Sequence, residues 1–452
     1  MDKRHSKRRR MFAAQPHPAQ VVVAGFGVAL IVGTVLLMLP IATQDGRATS
    51  LITALFTTTG ALSGALLVVD TGTHFTLFGE LVVLGLIQVG GLGIMTMASL
   101  LALLVSRRLG LRMQLRAAAE TSTLGLGDVK RVLAAVVVTS LAFEAVTAVI
   151  LSVRFATAYD YSVGRAVYLG VFHGITSFNN AGWALFPDNM VSLATDPFVI
   201  VPMTLAMIAG GLGIPVILEV YKRTRGRHRW TMHTKITVLV YGALAVFGAV
   251  TMLVLEWANG KTIGAMGIGD KILAATFHSI SARTSGFNSV DIGAMHPATL
   301  LITDILMFIG AGSASTAGGI KVTTFALLGF VILAEIRGEP TVHVMGRRLA
   351  AQVQRQAITI ALMGVGVVMA GTVGLLMITD HDLDAVLFEV CSAFGTVGLT
   401  TGITSDLPVA GQLILIALML IGRLGPITFA SALALRTRPR RYELPEERPI
   451  VG

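Results

Sequence analysis

The chain is poor in charge. Only 13% of its 452 residues are charged, while 54% are hydrophobic. A soluble domain carries about one-quarter charged residues, so a water-facing surface over most of this chain is excluded. Its one cysteine, Cys391, excludes an internal disulfide framework and a Cys-rich metal site. No H-E-x-x-H pattern occurs, and no paired intramembrane aspartates or serine–histidine arrangement stand out, which argues against a membrane enzyme. No G-x-x-x-x-G-K-[ST] loop occurs either, which argues against ATP-driven pumping by this chain.

What remains is long apolar stretches from end to end, with a mean hydropathy of +0.76. These read as the crossings of a polytopic helical membrane protein. The few basic residues gather at 3–10, at 107–116 with Lys130 and Arg131 behind, at 222–229 with Lys235, at 337–355 and at 436–441. Between them stand Asp45, Asp70, Asp160, Asp188, Asp196, Glu256, Asp291, Asp382 and Asp406. The positive-inside rule places every basic group in the cytoplasm, and with them both termini. A cleaved signal does not fit the charged start, so 1–19 reads as a cytoplasmic tail. Basic groups confined to membrane borders serve topology, and no nucleic-acid partner is expected.

Each stretch between basic groups must then cross an even number of times. This divides the chain into units at 20–106, 107–222, 223–336 and 337–435, with a cytoplasmic tail at 436–452. First crossings read about 20–41, 130–153, 236–256 and 357–379; second crossings about 76–105, 195–222, 297–335 and 410–435. Between them lies a small-residue-rich stretch too short to span as a helix. A short helix returning as an extended loop fits it, provided that protein or a wet cavity satisfies the backbone. The units also repeat: "GGLGIMT" at 90–96 returns as "GGLGIPV", "GGIKVTT" and "GRLGPIT". Phe56, Phe172, Phe277 and Phe388 each precede a loop, and a glycine follows the last three at ten, nine and ten residues. The expected fold is therefore all-α: four parallel repeats of crossing, pore helix and crossing around a pseudo-fourfold central pore.

Loops meeting on such an axis can replace a cation's hydration shell with backbone carbonyls. The candidate ion-binding residues are Gly64 or Ala65 in the first loop, then Asn180, Ala181 and Gly182, Ser285 and Gly286, and Val397 and Gly398. The first loop is irregular: Gly64 lies only eight residues after Phe56, and counting back from Asp70 points to Ala65 instead. Acidic Asp70, Asp188 and Asp291 on the outer face would concentrate cations. Trp183 and Phe287 adjoin filter glycines and are expected to brace them. His173 and His278 are expected to be packed, hydrogen-bonded residues, and Glu144 a structural charge.

In unit 3 the second crossing contains "GAGSASTAGG", 310–319, a run of poor helix formers. It reads as the one interrupted crossing. Its candidate gating residues are Gly310, Gly312, Ser313, Ser315, Thr316, Gly318 and Gly319. In the aligned glycine motifs Arg423 replaces the second glycine and Lys321 the last. A guanidinium carries five donors, and unwound carbonyls need donors, so Arg423 and Lys321 are expected to latch this loop closed.

The loops "FNNAG", "SARTSGFN" and "GTVGLTT", with "GSASTAGGIK" and "GRLGPIT", resemble the Trk/Ktr/HKT potassium-uptake superfamily, most closely its KtrB-type membrane subunit, over about 20–435. The first loop departs from the family's Thr-Gly-Leu pattern. The resemblance implies potassium uptake across the cytoplasmic membrane, with potassium bound at the filter and sodium as a second candidate ion. It also implies 310–319 as an intramembrane gate, a homodimer, and a peripheral cytoplasmic ring of nucleotide-binding regulatory subunits. The alternative is a sodium- or proton-coupled secondary cation transporter.

Overall fold

A computed structural model of the chain describes residues 18–114, 126–226 and 230–435. Most of the expected N-terminal tail, the whole C-terminal one and the ends of the second and third basic groups lie outside these residues.

The helices follow the order expected for each unit. Unit 1 has α1 (Pro18–Leu37), short α2 (Leu51–Ser63) and α3 (Leu77–Gln114). Unit 2 has α4 (Leu126–Ala158), short α5 (Val163–Phe178), α6 (Pro197–Leu212) and α7 (Ile214–Thr224). Unit 3 has α8 (Met232–Glu256), short α9 (Ile268–Ser281), α10 (Pro297–Phe308) and α11 (Val322–Ile336). Unit 4 has α12 (Ala351–Leu376), short α13 (Leu383–Gly395) and α14 (Val409–Leu435). Local chemistry sets several starts: the Ser50 and Ser162 hydroxyls accept the Thr53 and Arg165 N–H groups, and Asp196 caps Phe198.

Two second crossings are broken, where the sequence pointed to one. In unit 3 the chain leaves the helix after Phe308 and re-enters it at Val322. In unit 2 the chain bends by 106° between α6 and α7. The hinge is Gly213, at φ +86°, where a methyl group would lie 2.7 Å from the Ser313 carbonyl oxygen. Only glycine accepts both demands. Unit 2 thus bends where the unit 3 loop crosses it.

The outer surface is apolar as well as the core, and hydroxyls are buried with it. Val254 and Leu239 on α8 expose 71% and 61% of their surface, while Thr57, Thr58, Thr59, Ser177, Ser279 and Ser281 are buried. Apolar surfaces face outward and hydroxyls inward, as a hydrocarbon solvent requires. Helices α3, α4, α8 and α12 are each long and apolar enough to span a bilayer. Among the described residues the strands form one small hairpin, β1 (His343–Val344) and β2 (Arg347–Arg348), turned by Met345 and Gly346 at φ +49° and +79°.

The recurring glycine motif has a packing cause. A methyl group at Gly90, Gly210 or Gly422 would lie 1.9–2.1 Å from the carbonyl oxygen of Leu62, Phe178 or Phe394 respectively. In units 1, 2 and 4 the second crossing therefore passes bare against the inner end of its own short helix. Unit 3 differs: Gly318 faces Thr396 and Gly395 of unit 4.

Candidate functional site

Helices α2, α5, α9 and α13 end beside one another, and the chain leaves each in left-handed turns. Asn180 and Gly182, Thr284 and Gly286, and Thr396 and Gly398 form matching pairs of positive φ with one residue between. The loop of unit 1 has only Gly64, at +66°. Gly64 caps its helix as Thr396 caps α13, so it matches the first of each pair. The second position falls on Leu66, and Ala65 lies between.

The loops close on one another in sequence. A methyl group at Gly64 would meet the Asn180 carbonyl oxygen at 2.9 Å, at Gly182 that of Ser285 at 2.6 Å, at Gly286 that of Val397 at 2.1 Å, and at Gly398 that of Ala65 at 3.2 Å. Each loop thus faces the next, and the fourth faces the first. All the ion-binding candidates named from the sequence meet in this constriction. The four short helices end there too, and their C-terminal dipoles favour positive charge.

Side chains brace the ring from behind. The Trp183 indole donates to the Ala65 carbonyl at 3.0 Å, Asn189 donates to the Gly182 carbonyl at 3.1 Å, and the Ser281 hydroxyl donates to the Phe287 carbonyl at 2.5 Å. Two buried charges missed by the sequence reading belong here. The Glu389 carboxylate accepts Thr400 Oγ1 at 2.5 Å, Thr401 N–H at 3.0 Å and Thr404 Oγ1 at 2.7 Å, which fixes the fourth loop. Arg283 lies over the Tyr241 ring at 3.7 Å and donates to the Tyr241 carbonyl at 2.5 Å. Their signal was a lone charge in an apolar stretch, the criterion that singled out Glu144 and Arg423. His173 and His278 are buried and hydrogen-bonded, His173 to Leu169 and Leu185, and His278 to Thr303. Glu144 accepts Gln88 at 3.1 Å and Asn179 at 3.2 Å, with no cation against it among the described residues.

On one side of the ring a cavity of about 610 Å³ draws its walls from all four loops. Asp70, Asp188 and Asp291 line it together with Thr400, Thr404 and Ser405. On the other side lies the excursion 309–321. Ile309 and Ile320 pair at its base, and the Gly312 and Thr316 N–H groups donate to the Gly211 and Gly210 carbonyls at 2.8 and 3.3 Å. Two of its hydroxyls serve the loop and its exit: Ser315 donates to the Gly312 carbonyl at 2.6 Å, and Ser313 pairs with Thr323 at 2.9 Å. Gly310 lets the Gly318 carbonyl pass where a methyl group would be 2.4 Å away, and Gly319 takes φ +59°.

Both expected cations reach this loop. Arg423, 3% exposed, donates through Nη1 to the Thr316 carbonyl. Lys321 donates to the Ala317 carbonyl, and Gly318 O lies 3.4 Å from its Nζ. Arg423 therefore ties unit 4 to the loop of unit 3, whereas Lys321 binds the loop it belongs to.

The family model described as "TrkH: Cation transport protein" matches residues 2–438. The chain is 38% identical to the Ktr system potassium uptake protein B of Bacillus subtilis, over 96% of this chain and 97% of that one. It is 39% identical to the protein of the same name from Vibrio alginolyticus, over 96% of this chain and 94% of that one. Its fold is similar to the crystal structure of the potassium transporter TrkH from Vibrio parahaemolyticus, with a TM-score of 0.70 at 16% identity, covering 91% of this chain and 86% of that one. With two full-length relatives, a matched fold and a closed ring of loops, this multi-pass membrane chain belongs to the TrkH cation transport family.

Proposed function

We propose that the protein takes up potassium across the cell membrane through a channel-like pore. The four-loop ring is its selectivity filter, and 310–319 is the gate beyond it. The observation that carries this reading is the closed succession of loops, each holding a left-handed backbone turn against the carbonyl of the next. Potassium enters from the vestibule of Asp70, Asp188 and Asp291 and loses its water to carbonyls held at the negative ends of four helices. Arg423 and Lys321 hold the gate loop shut and place positive charge under the filter. The relatives are named for potassium uptake over nearly their whole length, which supports the same ion. The repeats share one orientation around the pore, with both termini and the five basic groups cytoplasmic. Two such chains pair, and a nucleotide-binding ring docks on the basic face to act on the gate.

The test is growth of an uptake-deficient bacterium at limiting potassium, with the chain alone and with a candidate regulatory subunit. Rescue is expected, and stronger with the subunit. Failure to rescue at normal membrane expression overturns the reading. A sodium- or proton-coupled carrier is the second reading, favoured by the two broken crossings. Potassium flux that requires a sodium or proton gradient would establish it.

A further inference from the structure

The paired asparagines of the second loop face opposite ways. Asn179 points outward, and its amide donates to Gln88 at 2.8 Å, to Glu144 at 3.2 Å and to the Ile175 carbonyl at 2.9 Å. Asn180 points inward and stands at φ +53° in the ring itself. It is 2% exposed, and its side chain lies between Ser285 of the next filter loop and Thr316 of the gate loop. Its amide satisfies both ends in one orientation. The oxygen then accepts the Thr316 hydroxyl at 2.7 Å and the Gly211 N–H at 3.1 Å, and the nitrogen donates to the Ser285 hydroxyl and to the Met207 carbonyl at 3.3 Å.

Thr316 is thus held from three directions. Its hydroxyl meets Asn180, its N–H meets the Gly210 carbonyl at 3.3 Å, and its carbonyl meets Arg423. Among the described residues, Asn180 is the side chain that joins two filter loops to the gate loop directly. The gate cannot leave its closed position without breaking the Asn180–Thr316 bond. Once that bond breaks, the buried amide must find another acceptor or donor partner, and its grip on Ser285 changes with it.

We propose that Asn180 couples the filter to the gate: the closed loop fixes the ring through the Thr316–Asn180–Ser285 chain, and opening releases it. Coupling of this kind is reciprocal, so ion occupancy of the filter biases the gate as much as the gate biases ion affinity. The selectivity of the pore then depends on the state of its gate. This rests on the pore reading given above.

The test is a double-mutant cycle on the full chain in liposomes, reading potassium flux, half-saturating potassium and the potassium-to-sodium flux ratio. Asn180→Gly removes the amide while accepting the left-handed angle, and Thr316→Val removes the hydroxyl at constant shape. Each single variant is expected to shift half-saturation and the flux ratio about three- to tenfold, the worth of roughly one buried hydrogen bond. The double variant is expected to shift them no further than the larger single one, and Thr316→Ser to keep the wild-type ratio. Shifts that multiply in the double variant, or a Thr316→Val chain that gates faster with an unchanged flux ratio, overturn the coupling alone. A wild-type chain that passes no potassium overturns the pore reading, and the coupling with it.

Discussion

At the residue scale the sharpest prediction concerns Arg423. A charge within a membrane helix is expensive, about 2.5–3.5 kcal/mol on insertion scales. Here it is buried and spends a donor on one carbonyl of another unit, while its Nε has no partner among the described residues. A charge-assisted hydrogen bond is worth about 1.5–3 kcal/mol, and about 1.4 kcal/mol shifts an equilibrium tenfold. Arg423→Ala should therefore raise potassium flux through the membrane chain by itself about tenfold or more, measured in liposomes at matched protein content. Equal flux in both proteins would remove Arg423 from the gate. This residue was legible because three aligned motifs carry glycine where it stands. Arg283 and Glu389 carry the same lone-charge signal, but no repeat motif sets them apart, and their partners are a carbonyl and threonines that only the fold brings to them. Gly64 shows the opposite limit: the sequence offered a glycine near the right place, and its backbone angle puts it two residues before the position that Gly182, Gly286 and Gly398 hold.

At the scale of the element, the four loops of the ring do not depend equally on their glycines. Gly286 leaves no room: a methyl group there would meet the Val397 carbonyl oxygen at 2.1 Å. At Gly182 the contact would be with Ser285 at 2.6 Å, and at Gly398 with Ala65 at 3.2 Å. All stand at positive φ, where an L side chain costs about 1–2 kcal/mol regardless of space. The substitutions to alanine should therefore rank Gly286, Gly182, Gly398 in severity. The first should raise half-saturating potassium at least tenfold in a rubidium uptake assay, and the last only a few-fold. A ranking led by Gly398 would mean that angle, not space, governs the loops. The breaks in the second crossings follow the same division of legibility. Ten small residues announced the unit 3 excursion, but the unit 2 bend rests on Gly213 alone. Glycine in "GGLG" also serves straight helices in unit 1, so only the loop lying across it reveals the hinge.

For the whole molecule, hydropathy was enough to expect a mostly helical, multi-pass chain, because a bilayer leaves few ways to satisfy a backbone. How the units lean on one another was beyond that signal, since the contacts run between carbonyls and glycines from distant parts of the chain. The vestibule is one such property. It gathers Asp70, Asp188 and Asp291 from three units around one cavity of about 610 Å³. Each carboxylate also holds local backbone: Asp70 accepts the Gly72 N–H at 3.2 Å, Asp188 that of Ser192 at 2.7 Å, and Asp291 that of Gly293 at 3.0 Å. Asparagine keeps such capping bonds, so Asp70→Asn, Asp188→Asn and Asp291→Asn together remove charge while leaving the turns in place. Clustered charge at a pore mouth raises local cation concentration, and salt screens this within about 10 Å at 0.1 M. The triple variant should take up potassium about two- to tenfold more slowly than wild type at low ionic strength and low potassium. The two should converge at about 0.5 M of an impermeant salt, where screening has already removed the advantage. A deficit of the same size at both salt concentrations would place these carboxylates on the ion's direct path, rather than in the field that draws it in.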